Sequence, residues 1–239
     1  MPEDAPLLAS EANRGMFDRL ARRYDLFNTL LSLGLDHLWR RRAVAALGPR
    51  DGERYLDVGC GTGGVALAVL RQAPGAWVFG LDPSPEMLAV AARKARRAGR
   101  RGRLALTIGD ACALPFHDAA FAGVTSAFAL RSLPCRIRAF REMHRVLAPG
   151  GRLALLELTV PPQPLLRAGH WFHTRTLGAL LARLLHGTGG PHRFLCQSIA
   201  RFPARAIAGE LAAAGFDSVR VQTLTAGAAT LYTGRQAEV

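Results

Sequence analysis

The chain has 239 residues, of which 49% are hydrophobic and 21% are charged, a composition typical of a soluble globular protein. We expect one domain over residues 1–239, and its longest apolar runs are too short to span a membrane. The four cysteines, at positions 60, 112, 135 and 196, form no Cys-x-x-Cys pair, and the histidines show no ligand spacing with a neighbouring acid. We therefore expect neither disulfides nor a metal site.

The net charge of +13 admits three interpretations. Arginines cluster at positions 40–42 and again between 93 and 103, as on a surface that attracts anionic lipid or nucleic acid. A general bias toward arginine is the alternative, because Lys94 is the only lysine in the chain. The basic segments have no interleaved aromatic residues, which argues against nucleic acid.

The first residues are acidic and lack the basic-then-apolar order of a signal peptide, which predicts a cytoplasmic protein. Peripheral contact with the anionic inner face of the cytoplasmic membrane is a further expectation that the charge motivates. A homodimer is also considered.

Residues 11–47 carry apolar side chains near helical spacing and predict an N-terminal helical cap. From Arg54 onward the pattern alternates between strand and helix, which is typical of a parallel sheet with helical crossovers. After a first strand ending near residue 58, the predicted strands are 76–81, 104–108, 123–127 and 152–158, with a helix at 137–147 before the last.

Residues 162–200 are predicted to form a helical lid, because prolines break the chain after the fifth strand and a helical pattern follows. A helix at 204–214 and strands at 218–224 and 228–234 close the chain, the two strands pairing as an antiparallel hairpin at one sheet edge. The predicted fold class is α/β, a Rossmann-like sheet of seven mostly parallel strands with a cap and a lid.

Residues 56–63, Leu-Asp-Val-Gly-Cys-Gly-Thr-Gly, join an apolar strand to a glycine-rich turn. Gly59, Gly61 and Gly63 would let the backbone turn sharply and let a ligand approach main-chain atoms. Asp82 ends the next predicted strand, where its carboxylate could accept both hydroxyls of a ribose. This turn is where a nucleotide-like cofactor would bind.

The same glycines also satisfy the spacing of a dinucleotide-binding turn. Two features favour another cofactor. First, Asp57 lies inside the strand before the first glycine. Second, Asp110 and Ala111 follow the third strand, where the Asp110 side chain and a backbone N–H could contact an adenine edge. Together the three strand ends resemble the S-adenosylmethionine site of a class I methyltransferase. We therefore assign Asp57, Gly59, Gly61, Thr62, Gly63, Asp82, Asp110 and Ala111 to cofactor binding.

Further segments are similar to the ubiquinone/menaquinone C-methyltransferase family and follow its order over nearly the whole chain. The most specific is Tyr24-Asp25-x-x-Asn28-x-x-Leu31-Ser32-x-Gly34-x-x-x-x-Trp39, after Met16-Phe17-Asp18. The others include Gly109-Asp110-Ala111-x-Ala113-Leu114-Pro115-Phe116, Phe128-x-Leu130-Arg131, Arg193-Phe194-Leu195-x-x-Ser198-Ile199 and Leu224-Thr225-x-Gly227.

This resemblance implies transfer of a methyl group from S-adenosylmethionine to a ring carbon of a prenylated quinol, with demethylmenaquinol favoured over a ubiquinone-pathway benzoquinol. It places family cofactor contacts on Thr62, Asp82, Asp110 and Ala111. The chain departs from the family at several polar positions, among them Asp36, Cys112, Ala127, Ser132, His192 and Tyr232. Methylation of another small aromatic compound, or cofactor binding without catalysis, are the alternatives.

Three side chains are the candidates for catalysis. Arg131, after the fourth strand, could stabilise a developing phenolate, or it could form a structural salt bridge with Glu157. Tyr24 and Asn28 share a face of the cap helix at i, i+4 spacing, where they could contact substrate or cofactor, or simply pack the helix onto the sheet.

Overall fold

The structure, a computed structural model, describes residues 21, 23–186 and 190–238, which are organised around a seven-stranded sheet. The order of the strands across the sheet is β3-β2-β1-β4-β5-β7-β6. β1 to β5 run parallel, and β7 is antiparallel to both β5 and β6. The strands are β1 (Arg54–Val58), β2 (Trp77–Asp82), β3 (Leu104–Ile108), β4 (Phe121–Ala127), β5 (Leu147–Leu158), β6 (Asp217–Leu224) and β7 (Ala229–Arg235).

Helices cover both faces of this sheet. They are α1 (Tyr24–Leu31), α2 (Leu35–Leu47), α3 (Gly64–Gln72), α4 (Pro85–Arg97), α5 (Arg136–Val146), α6 (Pro164–His186), α7 (Gly190–Arg201) and α8 (Ile207–Ala213). The start of α4 is typical of a helix: Pro85 occupies the first turn, and the Ser84 hydroxyl accepts a hydrogen bond from Met87 N at 3.1 Å.

The sheet is buried on both faces because successive side chains of a strand point in opposite directions. In β1, Tyr55 packs into the core under α2 and α3, and Leu56 packs into the core under α5 and α8. In the core that contains Leu56, the rings of three residues meet edge to face: Phe79, Phe116 and Phe121. These two cores hold the carboxyl ends of β1 to β4 in fixed positions.

A third, smaller apolar cluster joins α1 to α6 and α7. Phe27 of α1 clusters there with Leu181 of α6 and Ile199 of α7. Gly178 permits the close approach of α6 and α7, because an added Cβ would lie 2.7 Å from the ring of His192. The first helix of the cap therefore packs against the two helices that follow β5.

The predicted fold class is confirmed, including the C-terminal antiparallel hairpin. Residues 11–20 of the predicted cap lie outside the described residues, and the lid as a functional unit stays a prediction. The first helix of the lid segment begins at Pro164, and β5 begins at Leu147 instead of residue 152. The glycines at 150 and 151 suggest a break before the strand, but pairing with β4 extends back across them to Leu147 with a register shift.

No helix in the described part of the chain is both long and apolar enough to cross a membrane.

Candidate active site

The glycine turn after β1 is fixed by backbone conformation and by β2. Gly59, Gly61 and Gly63 have φ values of +67°, +53° and +76°, which favour glycine over residues with a Cβ. The N–H groups of Gly59 and Cys60 both donate to the carbonyl of Leu81, at 2.7 and 3.0 Å. An added Cβ at Gly61 would meet no atom within 4 Å, so the turn leaves open space above it.

Asp82 is bonded to the same turn from the end of β2. One carboxylate oxygen accepts from Gly61 N at 2.8 Å, and the other accepts from Ser84 N at 2.9 Å. A carboxylate offers about four lone-pair positions, so Asp82 has the capacity to accept hydroxyl groups of a ligand as well. Asp82 thus orients the turn and presents acceptors beside it.

Asp57 lies under the turn, 1% exposed, and accepts a hydrogen bond from Ala66 N in the first turn of α3 at 3.0 Å. Burial, helped by the nearby charge of Asp82, raises the pKa of Asp57 to about 7, although the Ala66 hydrogen bond and the charge of Arg40 act in the opposite direction. A carboxyl group with this pKa changes its charge near neutral pH.

Thr62 connects the turn to the cap. Its hydroxyl donates to Asp25 of α1 at 2.6 Å, and Lys94 of α4 donates to Asp25 at 2.8 Å and to the Thr62 hydroxyl at 3.3 Å. We call Asp25, Thr62 and Lys94 the latch. The sequence analysis did not assign Lys94 to the site. The one signal that could have indicated it is that Lys94 is the only lysine in the chain.

A cavity of about 480 Å³ extends along the carboxyl ends of β1, β2 and β3. It brings together the acids and the turn that the sequence predicted, with Asp110 and Ala111 from the loop after β3. Asp110 accepts a hydrogen bond from Cys112 N at 2.9 Å, which shapes that loop. Of the residues assigned to cofactor binding, Gly63 alone is absent from the described lining; it precedes α3 beneath the turn. We call this space the cofactor cavity.

Arg40 of α2 also lines the cofactor cavity, and sequence reasoning placed it only in a basic cluster. Its side chain is 13% exposed and pairs with the buried carboxylate of Asp36. Its guanidinium carbon lies 5.2 Å from the ring centre of Phe128. Only the fold could show this position, because it depends on how α2 packs against α3.

A second cavity, of about 220 Å³, lies between the cap, the end of β4 and the helices α6 and α7. Tyr24, Asn28 and Arg131 all line it, so the three predicted catalytic side chains are brought together. Tyr24 and Phe128 line both cavities, which makes the two spaces neighbours. Its wall is mostly apolar, with Leu31, Leu33, Leu35, Trp39, Leu158 and Ile199 among the lining residues.

Arg131 forms the salt bridge with Glu157 that was one of the two alternatives predicted for it. Its guanidinium pairs with Glu157, and the same carboxylate accepts from the backbone N–H of Arg131 at 3.1 Å. Both side chains are buried, with 5% and 0% exposure, and Arg131 Nε has no hydrogen-bond partner among the described residues. The pair therefore fixes a positive charge in the wall of the second cavity, and the catalytic role stays a prediction.

His170 of α6 was missed as a site residue. It lines the second cavity, and its Nε2 atom is buried with no hydrogen-bond partner in the described part of the chain. In the same helix, His173 Nε2 lies 2.8 Å from Leu31 O. No feature of the sequence distinguishes these two rings, because only packing decides which nitrogen is left unpaired.

Comparison with known proteins decides the family. A sequence profile of the ubiE/COQ5 methyltransferase family matches residues 7–236. The chain belongs to this family. A demethylmenaquinone methyltransferase of Thermus thermophilus is 44% identical over 220 residues, which cover 92% of this chain and 99% of that protein. A ubiquinone/menaquinone biosynthesis C-methyltransferase UbiE of a Geobacter species is 37% identical, with 94% and 96% covered.

Solved structures with the fold of this ubiE/COQ5 family member are more distant in sequence. The putative methyltransferase complexed with the Trm112 activator of Haloferax volcanii has a TM-score of 0.67 at 18% identity, covering 93% of this chain and 98% of that one. A putative S-adenosylmethionine-dependent methyltransferase of Methanococcus maripaludis has a TM-score of 0.64 at 17% identity, covering 95% and 94%. These similarities establish the class I methyltransferase fold.

As a ubiE/COQ5 methyltransferase, the chain uses S-adenosylmethionine as its methyl donor. The cofactor cavity fits this compound: its volume lies in the range of about 300–1,000 Å³ found for small-ligand sites, and Asp57, Asp82 and Asp110 suit a ligand with an ammonium and a sulfonium group. Open space over Gly61 allows close approach to the backbone. When bound, the cofactor supplies a methyl group activated by its positively charged sulfur.

Proposed function

We propose that this protein methylates a ring carbon of a prenylated quinol, with demethylmenaquinol as the substrate. The observation that carries the proposal is the mostly apolar second cavity, which shares Tyr24 and Phe128 with the cofactor cavity. An aromatic ring held there would lie beside the methyl donor, and its prenyl chain would extend along apolar side chains. The names of the relatives in Thermus and Geobacter support the substrate class.

In this proposal the protein acts mainly by alignment and by electrostatics. A ring carbon beside a hydroxyl group becomes nucleophilic when the oxygen gains phenolate character, and alignment with the methyl donor then lowers the barrier. Arg131, held by Glu157, places a fixed positive charge in the cavity wall to stabilise that oxygen. Tyr24 and Asn28, one helical turn apart on α1, would orient the hydroxyl groups of the ring from the cap side.

Phe128 supports the positioning role of this wall. Its backbone has φ +63°, which is strained for a residue with a Cβ, and its N–H donates to Leu156 O at 2.7 Å. The ring contacts Trp39 and the Arg40 guanidinium. Strain kept at the boundary of the two cavities suits a side chain that sets the distance between donor and acceptor.

The test offers three acceptors side by side: reduced demethylmenaquinone, a methoxy-benzoquinol of the ubiquinone pathway, and a soluble phenol. We expect methylation of the naphthoquinol to be fastest, detected by mass spectrometry of the product. Faster methylation of the benzoquinol would assign the protein to the ubiquinone pathway instead, since ring recognition depends on cavity shape and a few hydrogen bonds. Methylation of the phenol alone would refute the quinol proposal.

Peripheral binding to an anionic membrane is part of the proposal, because prenylated quinols dissolve in the bilayer. On α6, Leu165, Phe172, Leu180 and Leu184 are 84%, 72%, 54% and 69% exposed, and the exposed arginines at 167, 175 and 183 lie between them. On α1, which packs against α6, Leu26 and Leu30 are also exposed. Apolar side chains mixed with arginine are typical of helices that rest in a membrane interface.

Vesicle flotation tests this contact with anionic and neutral lipids at low and high salt. We expect binding to anionic vesicles that weakens with salt, and Phe172→Ala with Leu165→Ala should reduce it while leaving cofactor affinity unchanged. A homodimer that covers the same apolar side chains is the competing proposal. Light scattering that shows a dimer, together with no flotation, would favour it and reject the membrane contact.

A further inference from the structure

The cofactor cavity contains three acids and, among the residues described in its lining, one basic side chain. The acids are Asp57, Asp82 and Asp110, and the basic residue is Arg40. Arg40 lies directly against the start of α3: a Cβ added to Gly64 would lie 3.2 Å from its Nε. The positive charge of Arg40 is near enough to lower the pKa of Asp57. A negatively charged part of a ligand would therefore be attracted to one place in this cavity.

S-adenosylmethionine has one such part, the carboxylate of its methionine end. We propose that Arg40 binds this carboxylate. The guanidinium is held in position by Asp36, whose carboxylate also accepts from the Ser32 hydroxyl at 3.1 Å, and by the face of Phe128. In the described structure Asp36 engages Nη1 of Arg40, so other N–H groups of the fork remain for a second carboxylate.

The experiment compares two ligands that differ by this group. S-adenosylhomocysteine carries the carboxylate, and 5′-methylthioadenosine lacks the whole amino-acid part. By calorimetric titration, Arg40→Met should weaken S-adenosylhomocysteine binding about ten- to a hundredfold, the range for charge-assisted hydrogen bonds, and change 5′-methylthioadenosine binding by less than about twofold. Arg41→Met, an exposed neighbour on α2, should change neither.

An equal loss for both ligands would mean that Arg40 only shapes the cavity, and no loss for either would remove it from binding. Arg40→Met leaves the buried Asp36 carboxylate without its partner, which costs stability. The double variant Asp36→Asn with Arg40→Met avoids that unpaired charge, and Asp36→Asn alone is then the reference. Relative to Asp36→Asn, the double variant should likewise bind S-adenosylhomocysteine more weakly and 5′-methylthioadenosine about equally well.

Discussion

The two cavities of this molecule are built in different ways. The cofactor cavity is formed largely by short loops that directly follow β1, β2 and β3, and backbone N–H groups make many of its polar contacts, as at Gly61 and Ser84. The second cavity is formed by side chains from residue 24 to residue 228, mostly on helices that meet only after folding. Local sequence thus specifies the cofactor cavity, whereas packing of the cap and α6 specifies the second cavity.

The largest effect should come from the charged pair of the second cavity. Arg131→Ala leaves Glu157 buried without its partner, which we expect to reduce the free energy of unfolding by about 3–5 kcal/mol. Turnover should fall about ten- to a thousandfold through loss of phenolate stabilisation. Urea unfolding and quinol turnover measure the two effects, and S-adenosylhomocysteine affinity should stay nearly constant in the folded protein.

A double variant separates stability from catalysis at this pair. Arg131→Met with Glu157→Gln removes both charges, so much of the lost stability should return while turnover stays low. Recovery of turnover along with stability would show that Arg131 is structural. The charged pair of the second cavity would then have no part in the reaction.

On the cofactor side the largest expected effect is a pH dependence of stability. The pKa of Asp57 is raised from 3.8 to about 7 in the folded protein, so between these values the folded state holds a proton that the unfolded state has lost. Stability therefore decreases as pH rises through this window. Between pH 5 and pH 8, about two pH units lie below the folded-state pKa, so the free energy of unfolding should decrease by about 3 kcal/mol over this range.

Asp57→Asn isolates this contribution, because the amide oxygen can still accept from Ala66 N. Urea unfolding of the cofactor-free protein at pH 5 and pH 8 should show wild type losing about 3 kcal/mol relative to the variant. Parallel pH dependence in the two proteins would place the pKa of Asp57 near its ordinary value. The carboxylate would then be ionised throughout, and its burial would have to be compensated by another group.

Asp82→Ala should affect the same side through the ligand. The variant frees the N–H groups of Gly61 and Ser84, which hold the turn, and it removes the carboxylate that we predict to accept both ribose hydroxyls. We expect S-adenosylhomocysteine to bind about a hundredfold more weakly by calorimetric titration. Asp82→Asn, which keeps one acceptor oxygen, should lose less, and identical losses in the two variants would indicate that turn geometry matters more than the charge.

The sequence could predict most of the cofactor side because each residue there has a local reason for its type. Gly59, Gly61 and Gly63 require positive φ, and Asp82 ends a strand that parallel pairing places beside the turn. The prediction of Arg131 near Glu157 succeeded for a similar reason, since β4 and β5 are neighbours in a parallel sheet. In each case the partners belong to adjacent strand ends.

The residues that sequence reasoning missed are set by packing between distant elements. His170 and His173 share one helix, and only the position of Leu31 O decides that His173 is bonded while His170 Nε2 has no partner among the described residues. Arg40 belongs to a run of three arginines, of which the fold turns this one toward the cofactor cavity. Such choices depend on helix rotation and on contacts between helices, which spacing in one sequence does not determine.

The smallest predicted effect lies in the latch, the set of side chains that joins the glycine turn to the cap through α4. Lys94 and Asp25 are 31% and 41% exposed, so their ion pair is screened by solvent and should contribute about 0.2–1 kcal/mol. Lys94→Met should therefore change global stability little. The effect should appear in α1, because Asp25 would lose its bond to Lys94 and keep only the hydrogen bond from the Thr62 hydroxyl.

Hydrogen exchange measures this directly, because opening of α1 need not unfold the sheet. We expect amides of α1 to exchange several-fold faster in Lys94→Met, with β1 and β4 unchanged, and Arg93→Met, an exposed neighbour on α4, to match wild type. S-adenosylhomocysteine should reduce the difference if its binding orders Thr62 against the cap. Faster exchange in β1 as well would mean that the latch stabilises the turn itself, and the glycine turn and the cap would then open as one cooperative unit.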